Sequence, residues 1–129
     1  MARCDYSDDD DYYSQGFERE GVVSIWLSSA EVDDTETDVL QDLCGVGYYN
    51  LDNQESNACL TTVPVEVLLS EISYVATFLS QALRAASELG LSSARWATVQ
   101  FDFAYNPSRV SRPVASDPIF LGVFSYATA

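Results

Sequence analysis

Arg95-Trp96-Ala97-Thr98-Val99-Gln100-Phe101-Asp102-Phe103-Ala104-Tyr105 alternates in a pattern that suits an extended chain. Side chains of a strand point to opposite faces with a period of two. Ala97, Val99, Phe101, Phe103 and Tyr105 therefore share one side, and Thr98, Gln100 and Asp102 the other. The run is rich in β-branched and aromatic residues and holds neither Gly nor Pro, the composition a strand favours. One face is expected in a core and the other at least partly wet.

The chain on either side supplies this strand with neighbours. Asn106-Pro107-Ser108 to Ser116-Asp117-Pro118 reads as a turn-rich connection carrying Arg109 and Arg112. The last strand, Ile119–Tyr126, is apolar on both faces and is expected to pair antiparallel with the strand before it. Upstream, Thr62-Val63-Pro64 signals a helix start, because the missing N–H of Pro costs little in a first turn. A helix is expected over 64–89 with Gly90 as its stop. Leu68, Ile72, Val75, Leu79, Leu83 and Ala86 make one apolar stripe, which Leu69, Phe78 and Ala82 widen. A pause falls near Ser70–Tyr74, where Ser73 offers a cap for a second helix.

Nearer the N-terminus, Val39, Leu40 and Leu43 sit at helical spacing, predicting a short helix over about 34–43 that ends at Gly45 and Gly47. Tyr48–Asp52 reads as a short edge strand. Val22–Leu27 is a first strand, apolar on both sides and hence well covered. Residues 1–20 place Asp5, Asp8, Asp9, Asp10, Asp11, Glu18 and Glu20 among Tyr6, Tyr12, Tyr13 and Phe17. Like charge at this density resists compaction, so a disordered acidic arm is expected there. Asp5-x-Ser7-x-Asp9 has the outline of a calcium loop, but Asp10 stands where the turn needs Gly and Gly16 where a bidentate Glu belongs. The expected organisation is an arm over 1–20 and one α+β domain over 21–129. That domain is a small antiparallel or mixed sheet with one long helix (64–89) and one short helix packed on it.

Charge narrows the function classes. Six Arg stand against twenty Asp and Glu, for a net charge of −14, and there is no Lys and no His. Direct binding to a nucleic-acid backbone needs cations to replace phosphate counterions, so that class is set aside. A negative surface steers instead toward basic partners. Without His, Ser–His and Cys–His catalysis and His-based zinc sites are excluded, and the chain leans away from an enzyme. Cys4, Cys44 and Cys59 are an odd count with no close pairing, which suits thiols used as apolar fillers in a reducing compartment. The N-terminus is no signal peptide and no apolar run reaches membrane-spanning length, so a cytoplasmic protein without membrane contact is expected. No cofactor or metal site is read from the residues.

Five blocks carry a resemblance. Val23-Ser24-Ile25-Trp26-Leu27, Tyr49-Asn50-Leu51-Asp52 with Glu55, Ser70-Glu71-Ile72-Ser73-Tyr74, Val99–Tyr105 and Phe120-Leu121-Gly122-Val123-Phe124-Ser125-Tyr126 stand in the order seen in the immunity protein 22 family. The chain resembles that family over about residues 21–127. The resemblance implies a small cytoplasmic protein of a bacterial polymorphic toxin system that binds a cognate toxin domain and blocks it stoichiometrically. Trp26 matches the family's characteristic tryptophan and is expected in the core.

Many such toxins are nucleases, whose clefts are basic because they hold phosphate. On this reading Asp33, Asp34, Glu36 and Asp38 supply charge, Tyr48 and Tyr49 supply contact area, and Asp52 and Glu55 pair with toxin cations. A solvated helix face and loop is the plain alternative for this segment. Thr98, Gln100 and Asp102 form a second candidate partner face. Two other classes compete: a nucleic-acid mimic of the anti-restriction or anti-CRISPR type, which needs carboxylates in two rows over one face, and a carboxylate-dependent enzyme centred on Asp102, which lacks a second positioned group.

Overall fold

A computed structural model describes residues 6, 8, 12–30 and 38–127. Strands β1 (Glu18–Ser28), β2 (Gln54–Pro64), β3 (Ser93–Phe103) and β4 (Ile119–Ser125) form one antiparallel sheet in the order β2-β3-β1-β4. Helices α1 (Val65–Leu69) and α2 (Leu79–Glu88) pack on one of its faces. The fold is α+β, as expected.

The last two strands do not pair with each other. β4 pairs with β1, and β1 separates it from β3. Burial explains the order: every residue from Val22 to Ser28 is buried, so β1 needs a neighbour on each side. The expected edge strand at Tyr48–Asp52 is also displaced. Leu51–Asn53 is a 3-10 turn capped by the Asn50 side chain, and pairing begins at Gln54. Gln54-Glu55-Ser56-Asn57 carries little β-propensity of its own; pairing with β3 imposes the conformation. The short helix is one π-helical turn, Val39–Leu43, and residues 31–37 lie outside the described residues.

The expected 64–89 helix is present as two segments, interrupted from Ser70 onward where the pause was expected. Hydroxyls compete with the helical ladder here: Ser70 Oγ donates to the Val67 carbonyl and Thr77 Oγ1 to that of Tyr74, both at 2.7 Å. Tyr74 adopts a left-handed conformation, and the freed Ser73 N–H donates to the Glu55 carboxylate at 2.9 Å. The break shifts the buried stripe. Beyond it Phe78, Ala82 and Ala86, four residues apart, are the buried face, while Leu79 and Leu83 pack at its flank. α2 ends in a Schellman motif, with Leu91 N–H reaching the Ala86 carbonyl and Gly90 at φ 74°.

A second core lies on the other face of the sheet. Phe17, Trp26, Leu40, Cys44, Val46, Phe103 and Tyr105 make it, so Trp26 is a core residue, as expected. Phe103 and Tyr105 were expected on the same side as Val99 and Phe101, which belong to the helix-side core. Asp102 explains the difference: at φ 57° it breaks the alternation, and the residues after it cross to the opposite face. Opposite it the β1 register slips between Glu18 and Val23. Asp102 Oδ1 fills the gap, accepting from Gly21 N–H at 3.0 Å and from Tyr126 hydroxyl at 2.7 Å. Ser24 Oγ, fully buried, joins the diverging ends by donating to the Phe103 carbonyl and accepting from Tyr105 N–H.

The boundary expected at residue 21 falls inside β1. Glu18 to Glu20 already belong to the strand, and Gln15 and Phe17 are buried. Phe17 packs 5.4 Å from Phe103 and 5.5 Å from Tyr105, ring to ring, contacts that offset the repulsion of the neighbouring acids. Gly47 permits the approach, since a Cβ there would lie 2.4 Å from the Tyr12 carbonyl oxygen. Residues 1–5, 7 and 9–11, with Asp5, Ser7 and Asp9 among them, lie outside the described residues.

Phe78 and Leu60 give opposite expectations. Truncating Phe78, fully buried, to Ala should cost about 3–5 kcal/mol in urea unfolding. Leu60→Ser, at a site 92% exposed on the edge strand, should change stability by less than about 0.5 kcal/mol.

Candidate partner-binding site

The acidic segment 33–55 divides into internal and outward-facing residues. Asp38 is half-buried and caps the π-helical turn, accepting from Gln41 N–H at 3.0 Å and from the Tyr49 hydroxyl at 2.7 Å. Asp42, one turn on, accepts from Asp38 N–H and from the Tyr6 hydroxyl. Tyr49 is half-buried against this arrangement, and Glu55 is engaged by Ser73. These three positions, Asp38, Tyr49 and Glu55, were expected to meet a partner; their polar atoms instead hold the chain's own turns. Asp33, Asp34 and Glu36 lie outside the described residues. Tyr48 and Asp52 do face solvent.

The second expected face is largely covered. Thr98 is 3% exposed and Gln100 1%, because β2 and the Asn50–Asn53 turn cover them. The Thr98 hydroxyl lies 3.0 Å from that of Ser56, and Gln100 Nε2 donates to the Asn50 carbonyl at 2.7 Å. Asp102 is half-buried with its Oδ1 engaged as described. The Gln100 oxygen, by contrast, is buried and accepts no hydrogen bond among the described residues.

What the structure brings together adds Tyr13, Glu18 and Glu20 to the expected Tyr48, Gln100 and Asp102. Tyr13 is 76% exposed and its ring lies 5.7 Å from that of Tyr48, itself 47% exposed. Tyr48 is held in place by its N–H, which donates to the Tyr12 carbonyl at 2.8 Å. Behind this pair runs a groove of about 450 Å³, lined by the Glu18–Glu20 end of β1, Tyr48, Asn50, Asn53 and residues 100–103 of β3. Its lining holds three carboxylate residues, Glu18, Glu20 and Asp102, and one guanidinium residue, Arg19. Two exposed tyrosines beside a carboxylate groove suit a cationic partner: rings give area at little rotamer cost, and carboxylates accept charge-assisted hydrogen bonds. The signal for Tyr13, Glu18 and Glu20 was present in the aromatic residues at 12, 13 and 17, which a solvated tail does not need.

Four titratable groups, Cys44, Tyr49, Tyr105 and Tyr126, are held neutral by their surroundings. Burial, with the Asp38 charge second, pushes the Cys44 thiol from 9.0 up to about 12. Burial, then the hydrogen bond to Asp102, pushes the Tyr126 hydroxyl from 10.0 up to about 12. Burial, and after it the hydrogen bond to Asp38, also raises Tyr49; burial, with Cys44 second, raises Tyr105. Among the described residues no three His, Cys, Asp or Glu side chains converge to hold a metal, and no helix is long and apolar enough to cross a membrane. Comparison of the chain with family models, curated proteins and solved structures finds no match.

These shifts set an alkaline limit. A raised folded pKa gives stability that is whole below the unfolded value and is lost as pH climbs toward the folded one. Stability should therefore start to fall above pH 9, where unfolded Cys44 ionises, and fall further between 10 and about 12 as the tyrosines join. Urea midpoints measured from about pH 8 to about pH 11 check this, and Cys44→Ala should move the onset upward by roughly one pH unit.

Proposed function

We propose that this chain is an immunity-type binding protein: it captures a basic toxin domain, a nuclease by charge complementarity, and blocks it by occupying its cleft. It acts in the cytoplasm by stoichiometric binding, with no catalytic step and no cofactor. The observation that carries the reading is the exposed Tyr13–Tyr48 pair beside the carboxylate groove, on a chain of net charge −14. The resemblance of the five ordered blocks to the immunity protein 22 family supports the same reading. A surface of one sign accelerates encounter with the opposite sign, and desolvated aromatics hold the complex once formed.

The nucleic-acid mimic fares less well. Glu66, Glu71 and Glu88 are exposed on and between the helices, while Glu18, Glu20 and Asp102 line the groove with Gln100. Carboxylates divided between these places work against two continuous rows. An enzyme built on Asp102 meets a plainer difficulty: its Oδ1 holds the Gly21 and Tyr126 groups.

Co-expression with the product of the neighbouring gene, the toxin on this reading, tests the proposal. The expected result is a co-purifying complex, rescued growth and an association rate that falls steeply with salt. Tyr48→Ala should weaken the complex by roughly thirtyfold or more, with unchanged urea stability. A toxin that neither binds nor is neutralised contradicts the proposal.

A further inference from the structure

We propose that the groove between the Glu18–Glu20 end of β1, the Asn50–Asn53 turn and residues 100–103 of β3 receives the guanidinium of one arginine side chain presented by a protein partner. The inference deepens the binding reading above and rests on it for the nature of the partner. Its chemistry stands on the groove alone.

The decisive group is Gln100. It is 1% exposed and lines the groove, and its oxygen accepts no hydrogen bond among the described residues. The neighbouring contact settles the amide's orientation: a carbonyl accepts but cannot donate, so the nitrogen must face the Asn50 carbonyl and the oxygen the other way. A buried acceptor left unmet costs free energy that a ligand N–H recovers. A donor that reaches the Gln100 oxygen from the groove would recover that cost. At its walls the groove wants positive charge, since Glu18, Glu20 and Asp102 outnumber Arg19. Both hydrogen bonds to Asp102 end on Oδ1, which leaves Oδ2 without a donor among the described residues.

These demands select among cations. A divalent metal needs converging ligands, and no such group exists among the described residues. A lysine ammonium is a compact point charge. A guanidinium presents five N–H donors in a planar fork, so it can meet a carboxylate and a separate neutral acceptor at once. Its plane also stacks on an aromatic ring, and Tyr48 forms a wall of the groove and stands exposed at its mouth.

Titration of the full chain with Nα-acetyl-L-arginine methylamide, followed by nitrogen-15 NMR, reads this directly. The citrulline derivative, of the same shape but neutral, and the lysine derivative serve as comparisons. The arginine probe should shift the side-chain amides of Gln100, Asn50 and Asn53 together and saturably. The neutral analogue should bind at least tenfold more weakly, as expected for losing charge-assisted hydrogen bonds worth about twice neutral ones. The double substitution Glu18→Gln with Glu20→Gln, at exposed positions, should weaken the probe roughly fivefold or more without changing urea stability. Equal binding of the neutral analogue, or shifts spread equally over Glu66, Glu71 and Glu88, overturns the assignment. The two proposals fail separately. A toxin captured undiminished by the double variant removes the groove and leaves the function; a groove that takes the probe in a chain that captures no toxin leaves the guanidinium site and removes the function.

Discussion

The carboxylate of Asp102 holds the central strand in a conformation the strand alone would not choose. A non-glycine residue in the left-handed region costs roughly 1–2 kcal/mol. Hydrogen bonds to a charged group return about 1.5–3 kcal/mol each, and Oδ1 takes two, from Gly21 and Tyr126. The balance favours the kink. It also ties together three strands, because Gly21 belongs to β1 and Tyr126 follows directly on β4.

Most of what distinguishes this fold follows from that point. Before Asp102, β3 sends Ala97, Val99 and Phe101 to the helices; after it, Phe103 and Tyr105 turn to the opposite face. There they meet Phe17, Trp26 and Phe120 at ring separations of 4.8 to 5.5 Å. This second cluster anchors the residues before β1 and the Val39–Gly47 segment, with the Tyr105 hydroxyl donating to the Cys44 carbonyl at 2.6 Å. Arg112 fastens the outer loop over them, donating to the Gln41 and Val46 carbonyls. Tyr13 and Tyr48 are presented outward by this packing, and the carboxylate groove opens where β1 and β3 part. The proposed partner-binding face is thus a product of the second core, not an appendage to the first.

Much of the fold was legible because it depends on periodicity. The helix-side core, the α+β class, the strands at Val22–Leu27 and Ile119–Tyr126, the buried Trp26 and the stop at Gly90 all follow from local pattern. The pause near Ser70–Tyr74 was visible in its hydroxyls, although the Glu55 carboxylate that completes it lies on a strand, eighteen residues before the Ser73 it binds. What escaped depends on distant partners. Nothing local to Asp102 announces a left-handed residue; Gly21 and Tyr126 impose it. Nothing in Gln54–Asn57 announces a strand without β3 beside it. The site was half legible for the same reason: Tyr48 and Asp52 face outward, but Asp38 and Glu55 are consumed by turns that only the folded chain creates.

Asp102→Gly separates the two energies on which this account turns, since it relieves the backbone strain and removes the carboxylate together. If the carboxylate holds the kink, equilibrium urea unfolding should show a loss of about 1–3 kcal/mol despite the relieved strain, with altered shifts for Gly21, Phe103 and Tyr105. A variant as stable as the parent, or more so, with those residues undisturbed, would show that the second core and the groove do not depend on Asp102.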